Sequence, residues 1–61
     1  MEPTIGNLVI DKPTGMLGLV VAIDRRPWYT MEVQEVWIVR LVNGCEVRHI
    51  STTLHQLEVI K

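Results

Sequence analysis

The chain has a single cysteine, Cys45, among its 61 residues. That excludes an internal disulfide and suits a reducing compartment. Charge of either sign is not in surplus: six Lys and Arg stand against seven Asp and Glu, a formal net charge of −1. A basic nucleic-acid arm or a polybasic membrane tail is therefore not expected. The longest apolar runs, Leu17 to Ile23 and Val36 to Val39, fall far short of the roughly 20 residues that span a bilayer. Met1 to Thr4 carries neither the basic region nor the apolar core of a signal peptide. Ala22 is the only alanine, and Gly or Pro interrupts most stretches long enough to form a helix, which argues against a helical bundle.

What remains is rich in β-branched residues. Val and Ile supply fifteen positions and Thr five more, all stiff at χ1 and suited to strands. Apolar residues make up 48% of the chain and charged residues 21%, a globular balance for one domain spanning 1–61. A domain this short buries only about 60% of the surface its unfolded chain exposes. With neither a disulfide nor an evident metal cage, association with itself or a larger partner is an expected source of stability.

Five strands are expected. Asn7 to Asp11 forms the first, followed by the turn Lys12-Pro13-Thr14-Gly15. Gly18 to Asp24 forms the second; its unbroken apolar character suggests burial on both faces, or one face in the core and one against a partner. Asp24 to Thr30 reads as a loop, because Pro27 cannot donate to a ladder. A long third strand runs from Val33 to Val42. Ser51 to His55 reads as a single 3₁₀ turn, and Gln56 to Ile60 as the last strand, with Leu57 and Val59 on one face.

Asn43-Gly44 between apolar stretches marks a hairpin. A two-residue turn would place Leu41 opposite Glu46 and Val39 opposite Arg48, mixing charge into the apolar face. A three-residue loop with Gly44 as a left-handed bulge places Leu41 opposite Cys45, Val39 opposite Val47 and Trp37 opposite His49. Its other face then opposes Arg40 to Glu46. Only the second register satisfies both faces. The expected architecture is all-β: a small, five-stranded, partly open barrel with a short 3₁₀ turn before the last strand.

The order of these signals resembles SH3-like barrels of the KOW type. Gly6-Asn7-Leu8-Val9, Gly15 and Gly18-Leu19-Val20-Val21 look like the opening strand, Gly-marked turn and apolar strand of that family. Trp37 to Gly44, then Leu54 and Leu57-Glu58-Val59-Ile60, look like its second half. The pattern also resembles short proteins of tailed bacteriophages that carry this barrel. The resemblance implies a fold and a class of role: a virion or host-cytoplasmic protein that docks on a larger assembly.

Two stretches are candidate protein-binding sites. Arg25-Arg26-Pro27-Trp28-Tyr29 combines two guanidinium groups, a rigid proline and two amphipathic rings, the residue types that dominate interface hot spots. The bland alternative is that Trp28 caps the barrel end and the arginines are solvated. On the hairpin, Val36, Ile38, Val42 and Ile50 point away from the Trp37 face around the Arg40–Glu46 pair, an apolar patch rimmed by charge. The same Arg25, Arg26, Trp28 and Tyr29 could instead stack on and neutralise a nucleic acid.

Cys45, His49 and His55 do not make a metal site. Zinc wants four ligands with a close pair, whereas Cys45 and His49 lie about 13 Å apart along a strand; a buried thiol and a packed imidazole are expected instead. Glu32 and Glu35 lack a nucleophile or acid partner, and Gly15 and Gly18 lack the helix that a phosphate loop needs. No cofactor, small-molecule substrate or enzymatic activity is expected. The leading reading is a structural or adapter protein of a larger assembly, with a phage particle (head or tail accessory) as the expected setting. The alternatives are a nucleic-acid-binding module or a small inhibitor of a host protein.

Overall fold

Five antiparallel strands form one sheet in the computed structural model, which describes residues 2–27 and 33–60. They are β1 (Leu8–Asp11), β2 (Met16–Pro27), β3 (Val33–Leu41), β4 (Glu46–Ile50) and β5 (Leu57–Val59), in the order β4-β3-β2-β1-β5. A 3₁₀ turn, Leu54–Gln56, leads into β5. The all-β class, the strand count and the late helical turn agree with the sequence. The sheet is not closed: β4 and β5 are its free edges, and the partly open barrel is not confirmed.

The hairpin adopts the expected register. Trp37 faces His49, Val39 faces Val47 and Arg40 faces Glu46. The Leu41 N–H donates to Cys45 O at 2.7 Å, and the Gly44 N–H to Leu41 O at 2.9 Å. Gly44 takes φ +90°, a left-handed conformation that costs an L-residue roughly 1–2 kcal/mol. Asn43 Oδ1 accepts the Cys45 N–H at 3.0 Å, completing the turn.

Two expectations are corrected. Asp24 to Pro27 is strand rather than loop, because β2 continues through Pro27, with Arg25 opposite Glu35, Arg26 opposite Gln34 and Pro27 opposite Val33; Trp28 to Thr30 lie outside the described residues. β1 pairs β2 only as far as Leu19 and the Gly6–Asn7 segment before it bonds Val20, so further along β2 is an edge on that side, where a terminal proline is tolerated. β2 also carries a bulge between Val20 and Ala22, an extra residue that bends and twists a strand. Finally, Cys45 is exposed rather than buried, since it ends the hairpin loop, beyond the packed part of the sheet.

The core lies on the concave face: Val9, Val20, Trp37, Val39, Leu41 and Leu57, with Met16, Ile23, Val47, Leu54 and Val59 packed against them. Gly18 allows β2 and β3 to approach closely. A Cβ there would fall 2.6 Å from Val39 Cγ1 and 3.2 Å from Arg40 O. The Trp37 indole Nε1–H donates to Pro3 O at 2.9 Å, so this core indole also ties down the segment that precedes β1.

Candidate functional site

The concave face holds a polar chain. Asp11 on β1 is 2% exposed and His49 on β4 is 6% exposed. His49 Nε2 lies 2.9 Å from Asp11 Oδ1, and Nδ1 lies 3.2 Å from Thr53 Oγ1. The Thr14 hydroxyl donates to Asp11 Oδ2 at 2.7 Å. Thr53 Oγ1 also accepts the Ile50 N–H at 3.1 Å and lies 3.2 Å from Ile50 O.

One hydroxyl proton must serve two acceptors there. If Thr53 gives it to His49 Nδ1, the ring is neutral and its Nε2–H donates to Asp11. If Thr53 gives it to Ile50 O, Nδ1 carries its own proton and the ring is an imidazolium facing a carboxylate. In both arrangements every nitrogen and oxygen of the chain is satisfied, which a buried polar cluster requires. Carboxylate, imidazole and hydroxyl in series can also activate a nucleophile. Here Asp11 and His49 lie below the surface and Thr53 is held by both backbone groups of Ile50. What this arrangement does is tie the turn after β4 to the far strand.

The convex face is different in kind. An open depression of about 270 Å³ is lined by Leu8 from β1, Leu17, Leu19 and Val21 from β2, Arg40 from β3 and Val42 just beyond it. Leu8 sits directly opposite Leu19, and Leu19 opposite Arg40. Val42 is 70% exposed, Leu8 48% and Leu19 40%. Ile60, also exposed, lies beside them, its N–H donating to Leu8 O at 2.9 Å. Arg40 reaches Glu46 Oε2 at 3.2 Å, which holds the guanidinium at the rim of this apolar ground.

Of the residues singled out from sequence, Val42 lies in this depression. Val36 and Ile38 occupy the same face of β3 further along and are half-buried, with Val36 opposite Ile50. Arg25 is exposed at the far end of β2, its Nε 3.8 Å from Glu35 Oε1. Arg26 and Pro27 continue that strand, and Trp28 and Tyr29 lie outside the described residues. The structure thus does not join the Arg25 stretch to Val42. Leu8, Leu17, Leu19, Val21 and Arg40 were not picked from sequence as site residues. The signal for Leu17, Leu19 and Val21 was the run Leu17 to Ile23, apolar at both parities of a strand.

His55 is exposed, and Cys45 and His49 are separated by burial as well as distance. Among the described residues no group of three or more His, Cys, Asp and Glu side chains is placed to hold a metal ion, and no helix is long and apolar enough to cross a membrane. No protein-family model, curated protein or solved structure matches the chain.

Proposed function

We propose that the protein is a non-enzymatic interaction module that docks on a larger protein assembly through the convex face of its sheet. The observation that carries this reading is the depression between Leu8, Leu19 and Val42. It is contiguous apolar surface with one guanidinium at its edge, the composition of a protein contact rather than of a solvated face. The partner that fits it presents an apolar side chain to the leucines and a carboxylate or carbonyl to Arg40.

The fold belongs to the same proposal. A meander from β1 to β4 with β5 returning beside β1, curled enough for β1 and β4 side chains to meet, supports an SH3-like arrangement. The resemblance to phage-encoded barrels extends the docking reading to a phage particle. The nucleic-acid alternative finds less support, because Glu35 offsets Arg25 and the chain's formal net charge is −1.

The test is a ¹⁵N-labelled titration with short peptides carrying Leu or Phe beside Asp or Glu, and separately with oligo-dT at low salt. Peptide-induced shifts at Leu8, Leu17, Leu19, Val21, Arg40 and Val42, lost in Leu19→Glu, support docking. Shifts confined to Arg25 and its neighbours with oligo-dT, and none with peptide, would sink it in favour of nucleic acid.

A further inference from the structure

The free edge of β4 is self-complementary, and we infer that it pairs with the β4 edge of a second copy of this chain. In an antiparallel ladder the residues alternate between those that bond the neighbour and those that face away. The Leu41–Cys45 bond closes the hairpin, which sets Val47 and His49 as the positions bonded to β3. Glu46, Arg48 and Ile50 therefore turn their N–H and C=O groups to the open side. Ile50 is already satisfied, its N–H by Thr53 Oγ1 and its C=O by the Thr53 N–H. Glu46 and Arg48 are left with their backbone groups at the edge.

A two-fold axis through Val47 brings two such edges together in antiparallel register. Glu46 then lies opposite Arg48 of the second copy, and Arg48 opposite its Glu46. Both are outward-facing positions, so each pair exchanges two N–H···O bonds, four in all. Both are also opposite-charge pairs directly across the ladder, the favourable cross-strand combination. Arg48 is exposed and has no ion pair among the described residues, so the second copy supplies the partner it lacks. Glu46 keeps Arg40 on its own strand pair and gains Arg48 on the other side. Beyond Arg48 the ladder ends, since Thr53 occupies the edge at Ile50.

The other edge lacks this property. The Lys12 N–H bonds to Gln56 O and the Ile60 N–H to Leu8 O, so Leu57 and Val59 face out of β5. The Leu57 N–H is taken by Leu54 O. A two-fold axis there would oppose Glu58 to Glu58, a repulsive pair. Charges on an edge strand usually discourage pairing; on β5 they do so, whereas on β4 the two signs are spaced to match. A dimer through β4 leaves the convex depression of each copy open, doubling the valency of the surface proposed for docking.

Sedimentation equilibrium on the intact chain tests this with Glu46→Arg, Arg48→Glu and an equimolar mixture of the two. The expected result is a concentration-dependent wild-type dimer and a dissociation constant roughly tenfold or more weaker in each variant alone. The mixture, in which both cross-strand pairs are again opposite in sign, should recover dimerisation. Hydrogen exchange on the wild type gives a second readout independent of the variants: the Glu46 and Arg48 amides should become protected as concentration rises. A wild type that stays monomeric up to roughly millimolar concentration overturns the inference. So does a dimer indifferent to both reversals, or one that forms while those two amides remain open.

Discussion

His49 and Asp11 are hydrogen-bonded at 2.9 Å although β3 and β2 lie between the strands that carry them. In a flat sheet those strands would be about 14 Å apart, more than the two side chains can span. The contact therefore measures the curl of the sheet. It links an edge strand, β4, to the interior strand β1 across the core face.

That position gives the pair its energetic weight. Removing one member leaves the other buried without its partner, at a cost of about 2–4 kcal/mol. A domain of this size rarely has more than about 3–5 kcal/mol in total. His49→Ala and Asp11→Ala should each leave a substantial unfolded fraction at 25 °C in urea titrations. The double variant should cost clearly less than the sum, because the second deletion removes the orphan left by the first. Additive costs would show that the two side chains act independently.

Gly18 is the position where side-chain volume is least tolerated. A methyl group there meets Val39 Cγ1 and the Arg40 carbonyl inside a packed strand pair, and overpacking of this kind costs about 1–3 kcal/mol. Gly18→Ala should lower the urea midpoint accordingly. Adding Val39→Ala should restore part of the loss, since it removes the atom that the new Cβ strikes. If the double variant is less stable than either single one, backbone distortion rather than the Val39 contact is responsible.

Trp37→Phe separates the packing role of the indole from its hydrogen bond to Pro3 O. The ring remains in the core and the donor is lost, leaving a buried carbonyl without its partner at a cost of about 1–3 kcal/mol. Amide exchange should accelerate most at Gly6 and Asn7, which follow the released segment. Uniform acceleration across the sheet would mean that the Phe variant loses core packing instead.

The hairpin was legible in the sequence because only one register kept charge off the apolar face, and both faces voted for it. Parity likewise placed Trp37, Val39 and Leu57 inward. The extension of β2 was missed because the rule that proline breaks a ladder concerns donors needed by a neighbour. Beyond Leu19, β2 has no β1 partner. The His49–Asp11 contact was not legible, since residues so far apart in sequence meet only through sheet curvature, which no local pattern encodes. The convex depression was half visible: the run from Leu17 to Ile23 announced a second apolar face. Which residues would join it from β1 and β3 depended on registers that carry no turn signal as strong as Asn43-Gly44.

Surface ion pairs provide the contrast to the buried one. Arg40 and Glu46 are 3.2 Å apart, with side chains 62% and 37% exposed, and Arg25 and Glu35 are 3.8 Å apart and more exposed still. Water screens both, and ordering two long side chains offsets much of what attraction remains, so each contributes less than about 1 kcal/mol. Arg25→Gln and Glu46→Gln should each shift the urea midpoint by a small fraction of the shift in His49→Ala, and added salt should erase the difference. The Arg40–Glu46 pair should be the larger of the two, because its residues are directly opposed at a non-hydrogen-bonded site, where side chains are closest. If Glu46→Gln instead approaches the cost of His49→Ala in dilute solution, the carboxylate is doing more in the monomer than pairing with Arg40. Measured at concentrations where β4 edges meet, the same substitution should weaken association while leaving the monomer's stability nearly unchanged.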